Sequence, residues 1–223
     1  MPTLHLFDID GTLVRMQGTG RIAFDHAMKR LFGKEKLTHE ISMAGTTDLA
    51  TFHAVMDKLG IRNGFDDYWH HFETYFAEAL TELVITAPYM PIEGVVAFLE
   101  LLRKNRTPRT IITGNMKKGA EIKLQSAGLS DYFTCGAYGD DALTRNDLAE
   151  IAVQRSKDSF HTDLTTIIMW GDTPLDIEAG KHIGAVTVAV AGGLYTREQL
   201  EQCSPDRIIE DFTELPDIIK HFQ

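Results

Sequence analysis

An α/β fold is what this 223-residue sequence predicts: a Rossmann-like, mainly parallel sheet with helices on both faces, plus a small all-helical module inserted after the first strand. Three features predict it. A short apolar run, Thr3-Leu-His-Leu-Phe7, ends abruptly in Asp8-Ile-Asp-Gly-Thr12. The stretch 15–91 carries helical periodicity and no strand pattern. Beyond Pro91, apolar β-branched runs alternate with amphipathic segments, the signature of right-handed βαβ units.

The elements follow in order. The first run is bounded by turn residues and reads as a buried strand. Ile22, Ala23, Ala27, Leu31 and Phe32 recur near helical spacing, and Gly33 stops that helix. Leu49, Phe52, Val55, Met56 and Leu59 repeat the pattern up to Gly60. Phe65 to Phe76 then packs six of the 20 aromatics into twelve residues, and Ala79, Leu80 and Leu83 continue the pattern as one long amphipathic helix. After Pro91 come a helix over 95–102, a strand over 109–113, a helix over 116–127 stopped by Gly128, a strand over 132–137 and a helix centred on 148–153. Strands at 165–170 and 185–190 flank the segment 174–183, and a short strand at 208–209 precedes a closing helix near 215–222. A lone strand cannot persist, so the first joins the later ones. The core is therefore 1–14 with 92–223, and the helical module is 15–91.

Composition bounds the function classes. At about 150 residues per domain the length fits one sizeable core and a smaller module. Hydrophobic residues at 43% and charged residues at 24% describe a globular chain able to bury a core. A net charge of −10 argues against nucleic-acid polymers and anionic membranes as partners. Two cysteines make no disulfide framework, the first residues lack the marks of a signal peptide, and no run is long enough to span a bilayer, so a cytoplasmic protein is expected.

Ligands of open α/β sheets bind beyond the carboxyl ends of the strands. Polar residues cluster there: Asp8 and Asp10 after the first strand, Thr113-Gly-Asn115 after the second, and Asp172 with Asp176 after the 165–170 strand. Four carboxylates crowded at one edge are unfavourable without a cation, and an all-oxygen set suits Mg²⁺. One carboxylate of the Asp8/Asp10 pair can act as nucleophile and the other as general acid and base. Asp-Ile-Asp-Gly is also a common turn sequence, but matching polar strand ends recur at 113 and 172 in order.

Phe7-Asp-Ile-Asp-Gly-Thr-Leu-Val14 resembles the first motif of the haloacid-dehalogenase-like superfamily, Ile111-Ile-Thr-Gly-Asn115 its second, and Gly171-Asp-Thr-Pro-Leu-Asp176 its fourth. The likeness is to phosphoglycolate-phosphatase-like members with an α-helical cap, and it covers essentially the whole chain. It implies a Mg²⁺-dependent phosphatase acting on a small phosphomonoester through an aspartyl-phosphate. Asp8 would be nucleophile and metal ligand, and Asp10 acid/base and, through its carbonyl, a metal ligand. Thr113, Gly114 and Asn115 would hold the phosphoryl group, Asp172 would bind the metal, and Asp176 would support the site. The family's third motif usually supplies a lysine, often followed by proline. No Lys-Pro occurs after Thr113, and the corresponding stretch 139–148 offers Arg145 instead. Arginine stays charged and grips phosphate through a bidentate fork. Lys117 and Lys118 are rival cations, and a purely structural salt bridge at Arg145 is the plainer alternative.

Other features carry less. Arg21, Thr46, Thr47 and Asp48 are the module's candidate contacts to substrate, although Thr46 or Thr47 suits a helix cap better and Arg21 a solvated helix surface. His70 and His71 are adjacent on a helix and share no face, and Cys135 fits a buried strand position. Lys29, Lys34, Lys36 and Lys58 fit exposed positions rather than a Schiff base. A phosphosugar mutase of the same fold and a non-enzymatic phosphate-binding protein are the alternatives, as a monomer or a homodimer. No G-x-G-x-x-G follows the first strand, which excludes a dinucleotide-binding oxidoreductase.

Overall fold

The structure is a computed structural model describing residues 3–15, 17–161 and 164–214. The core is a six-stranded parallel sheet of order β3-β2-β1-β4-β5-β6, from β1 (Thr3–Phe7), β2 (Arg109–Ile112), β3 (Gly136–Ala137), β4 (Thr166–Gly171), β5 (Val186–Val190) and β6 (Arg207–Ile209). The chain runs from β1 outward through β2 and β3, then returns to the other side of β1 with β4. A crevice therefore opens beyond the carboxyl ends of β1 and β4, the switch point where such sheets bind ligands. Phe7 pairs with Trp170 and Ile111 across this centre, and the Asp8 N–H donates to the Trp170 carbonyl at 3.0 Å.

Alternation along the strands separates two cores. Leu4 and Leu6 pack with Ile112, Met169 and the small faces of α6 (Arg145–Phe160) and α7 (Pro174–His182). On the other face His5, Phe7, Phe98, Trp170 and Phe212 form a stacked and edge-on aromatic group under α4 (Val95–Lys104). Burial pushes the His5 pKa down to about 3, so its neutral ring accepts from the Trp170 indole at 3.1 Å. Both faces of the sheet are covered, as a parallel sheet requires.

Between β1 and α4 the described residues form three helices and no strand: α1 (Thr19–Phe32), α2 (Asp48–Leu59) and α3 (Phe65–Thr86). Gly33 and Gly60 end the first two in left-handed conformations, and the Thr47 hydroxyl caps α2 by accepting from the Ala50 N–H. Phe72, Phe76 and Leu80 lie four residues apart on the buried stripe of α3, and the Phe72 ring meets Phe24 at 4.5 Å. The aromatic stretch is therefore packing. The chain enters and leaves this segment side by side, with Arg15 N–H donating to the Met90 carbonyl and Ile92 N–H to the Leu13 carbonyl.

Several expectations need correcting. The strand expected over 132–137 is confined to Gly136–Ala137, because Tyr132 lies in a 3-10 turn and only 136–137 pair with β2. Cys135 is consequently a half-buried residue before the strand, its Sγ 3.1 Å from the Thr110 hydroxyl. Ile22 is exposed, since α1 starts earlier and turns Thr19, Ala23, Phe24, Ala27 and Met28 inward. An unexpected helix, α8 (Arg197–Glu201), is set by a Thr196–Gln199 capping box. The closing helix near 215–222 lies outside the described residues.

Candidate active site

Each strand expected to carry a polar end delivers it to the crevice, where a cavity of about 440 Å³ opens between the sheet edge and the three-helix segment. Asp8, Asp10, Thr113, Gly114, Asn115, Arg145, Asp172 and Asp176 all line it. The pair Asp8 and Asp10 does not act as one carboxylate cluster. Each has its own cation.

Asp8, directly beyond β1, is buried and accepts from Arg145 Nη2 at 2.6 Å. The same nitrogen reaches Asp176 Oδ1 at 2.5 Å and the Ile112 carbonyl at 3.3 Å. Arg145 is the first residue of α6, held there because Thr144 caps that helix by accepting from the Asp147 N–H. Burial raises the Asp8 pKa to about 7, reinforced by Asp176 and Asp10 and opposed by Arg145. Asp172 is raised well above the ordinary carboxylate value, first by burial and then by Asp8, Asp176 and Asp10. Burial works against the Arg145 charge, but Asp176 and Asp8 outweigh it and hold the guanidinium charged.

The acidic group fits a divalent cation. Carboxylate oxygens of Asp8, Asp172 and Asp176 lie within 4.8 Å of one another. Asp172 Oδ2 is buried with no hydrogen-bond partner, a cost that a hard cation would remove. It is pressed between Gly11 and Gly193, where an added Cβ would come within 2.1 and 1.8 Å of it. Asp176 is otherwise committed: its Oδ2 accepts from the Thr173 N–H and hydroxyl in the capping box of α7, and its Oδ1 takes Arg145. Asp8 and Asp172 are thus the two side chains of this group that could hold such a cation, while Asp176 is bonded to Arg145.

Asp10 is half-buried and turns away from that group. Its Oδ2 accepts from Lys123 Nζ at 2.6 Å and from Asn115 Nδ2 at 2.7 Å, while Lys123 also donates to Asn115 Oδ1 at 2.6 Å. A lysine only donates, so the Asn115 oxygen must face it and the amide nitrogen must face Asp10. The other Asn115 N–H goes to the Thr113 hydroxyl at 2.7 Å, so this side chain orients its neighbours. Thr113 accepts from Asn115 and keeps its own hydroxyl proton to donate. Lys117 and Lys118 are exposed, outside the cavity lining. Lys123 is the cation that sequence reasoning passed over. It lies on the buried face of α5 (Lys117–Ser126) with Gly119 and Ala120, one turn away along the helix, and that small-residue face was the available signal.

The three-helix segment packs against the loops after β2 and β3. Asp48 N–H donates to the Gly114 carbonyl at 2.7 Å, Leu49 N–H to the Gly139 carbonyl at 3.2 Å, and the Asp48 carboxylate accepts from the Met116 N–H at 2.8 Å. Thr47 caps α2, and the Thr46 carbonyl abuts Gly114. Arg21 is an exposed wall residue of the cavity, donating to the Thr38 carbonyl at 2.9 Å. His70 and His71 are exposed, and Lys29, Lys34, Lys36 and Lys58 are likewise at the surface.

Residues 5–190 match the family described as haloacid dehalogenase-like hydrolase. The phosphoglycolate phosphatase of Neisseria gonorrhoeae is 28% identical over 226 residues, covering 97% of this chain and 92% of that protein. The pyrophosphatase PpaX of Oceanobacillus iheyensis is 25% identical over 218 residues, covering 96% and 95%. In fold the chain is similar to CbbY from Rhodobacter sphaeroides, with a TM-score of 0.74, 18% identity and 96% of each chain covered. The chain therefore belongs to the haloacid dehalogenase-like hydrolase family, as a phosphatase-type enzyme. No helix among the described residues is long and apolar enough to cross a membrane.

Proposed function

We propose that the protein is a Mg²⁺-dependent phosphatase that hydrolyses a small phosphomonoester through an aspartyl-phosphate on Asp8. The observation that carries this reading is the separation of the two aspartates: Asp8 is paired with Arg145 beside the Asp172 oxygen, and Asp10 is paired with Lys123. Two carboxylates in different environments take different roles.

Asp8, Asp172 and the Asp10 carbonyl would hold Mg²⁺, which would supply charge neutralisation for the nucleophile and the phosphoryl oxygens. Arg145 fixes the Asp8 carboxylate and adds positive charge where the transferring group gathers negative charge. The Thr113 hydroxyl and the backbone around Gly114 donate to the phosphoryl oxygens. In the first step the Asp8–phosphorus bond forms as the ester phosphorus–oxygen bond breaks. The electron pair stays with the leaving oxygen, and the proton of Asp10 passes to it, releasing the alcohol. In the second step Asp10, now a carboxylate, takes a proton from a water that attacks the phosphoryl group, returning inorganic phosphate and free Asp8.

Residues 15–91 act as a cap that excludes bulk water, with the Thr46–Leu49 contact to Gly114 and Gly139 as its closed position. The substrate is a small phosphorylated metabolite, captured locally because a chain of net charge −10 gives anions no long-range attraction. Phosphate release from a panel of phosphomonoesters, with Mg²⁺ and with EDTA, tests the reading on wild type and Asp8→Asn. Metal-dependent turnover lost in Asp8→Asn is expected. No release by folded wild type on any ester would sink the hydrolase and leave a mutase or a binding protein.

A further inference from the structure

The geometry points to Lys123 as a positioning residue that holds Asp10 in its acid/base orientation, an inference that rests on the phosphatase reading. Its side chain is 4% exposed and lies far along the sequence from Asp10, yet its ammonium forms a closed ring of hydrogen bonds with Asp10 Oδ2 and Asn115 Oδ1, both at 2.6 Å. Asn115 completes the ring by donating to the same Asp10 oxygen at 2.7 Å. Two donors on Oδ2 fix the orientation of the carboxylate and leave Oδ1 outside the ring.

The surroundings are shaped for this lysine. A Cβ on Gly20, at the start of α1, would lie 3.2 Å from its Nζ, so glycine there keeps the lysine's path open. The ammonium also sits over the Tyr89 ring, 5.4 Å from its centre, and the Tyr89 hydroxyl accepts from Thr19 at 2.6 Å. Gly20, Thr19 and Tyr89 come from the two ends of the helical segment, where it joins the core. A lysine enclosed on all these sides has little freedom, so it can fix a carboxylate that is itself half-buried. Burial of the charge without Asp10 would be costly, and the pair offsets it.

A merely structural lysine and a positioning lysine differ in how their loss depends on the leaving group. Alkyl phosphates expel a poor leaving group that needs a proton. p-Nitrophenyl phosphate expels one that does not. The experiment compares wild type, Lys123→Met, Lys123→Arg, Asp10→Asn and the double variant Lys123→Met/Asp10→Asn on both substrate types with Mg²⁺.

Lys123→Met is expected to lower kcat/KM on an alkyl phosphate by about 100-fold or more and on p-nitrophenyl phosphate by less than about 10-fold, the split expected of lost acid catalysis. Lys123→Arg, keeping a cation, should recover part of the alkyl activity, and adding Lys123→Met to Asp10→Asn should cost little more than Asp10→Asn alone. Equal losses on both substrates, or a full additional loss in the double variant, would overturn the proposal. If Lys123→Met does not fold, Lys123→Arg carries the test, because moving the donors should still produce the leaving-group split and its absence overturns the role. A wild type active on both substrates with an indifferent Lys123 overturns this inference alone. A wild type inactive on every ester overturns the phosphatase reading beneath it.

Discussion

Burial sets the chemistry of individual carboxylates in this protein. Asp48, beneath the start of α2, is buried, and that burial pushes its pKa up to about 6 despite the Met116 N–H it accepts and the nearby Lys123; Asp10 and Asp140 push the same way. A folded-state pKa above the ordinary carboxylate value favours the fold at low pH, and this contribution disappears as the pH rises through about 6. Asp48→Asn keeps an acceptor for Met116 and removes the charge. Its stability relative to wild type should improve by about 1 kcal/mol between pH 5 and pH 8, as read by urea denaturation at each pH. A difference independent of pH would show that Asp48 does not titrate in that range. His5 is the opposite case: neutral throughout, it behaves as one more aromatic ring of the core.

At the scale of elements, the site is assembled by helix starts meeting strand ends. Thr144 and Thr173 cap α6 and α7, and the residues placed by those caps, Arg145 and Asp176, bond to each other, with Arg145 also bonded to Asp8 at the end of β1. The start of α2 meets the loop after β2 so closely that a Cβ on Gly114 would stand 2.0 Å from the Thr46 carbonyl oxygen. Backbone cannot give way as a flexible side chain can. Gly114→Ala should therefore cost about 1–3 kcal/mol in thermal or chemical denaturation and lower kcat/KM by displacing the loop that carries Thr113. Unchanged stability with unchanged turnover would mean that this contact is not maintained in solution.

For the whole molecule, the cavity joins a rigid sheet edge to a helical segment with its own aromatic interior, so ligand binding and stability are coupled. Asp8 has a pKa near 7 without a metal, and it faces Arg145, Asp176, Asp10 and Asp172. Raised above its ordinary value, it favours the metal-free fold at low pH, and that support is lost as the pH rises through about 7. In EDTA the Tm should fall between pH 6 and pH 8. A cation binds the ionised form, so saturating Mg²⁺ should raise the Tm at pH 8 by more than at pH 6. The gain at one hundred times Kd is about 2.7 kcal/mol. A Mg²⁺ increment that is equal at both pH values, or absent in wild type, would contradict the ligand set of Asp8 and Asp172.

The order of the strands came from the tertiary structure, whereas the sequence by itself determined the central strand, the long aromatic helix, the alternation of strands and helices of a parallel sheet and the edge at which Asp8, Asp10, Thr113 and Asp172 meet. These depend on periodicity and on polar residues at strand ends, which are local. Arg145 was reached only through the family resemblance, as the cation in the stretch corresponding to the third motif, and the structure places it against Asp8 and Asp176. The tertiary structure alone decided how the polar groups pair. Lys123 went unnoticed in the sequence, and only with α5 docked does its buried face meet Asp10. Asn115, expected to hold phosphate, is bonded to Asp10 and Lys123 as well as to its neighbour Thr113, and Asp176 to Arg145 as well as to Thr173 of its own capping box; the Asp10 and Arg145 partners are distant in sequence and meet only when the strands are in register. The brevity of β3 has the same origin: pairing is set by the neighbouring strand β2, whose reach no residue of 132–137 encodes.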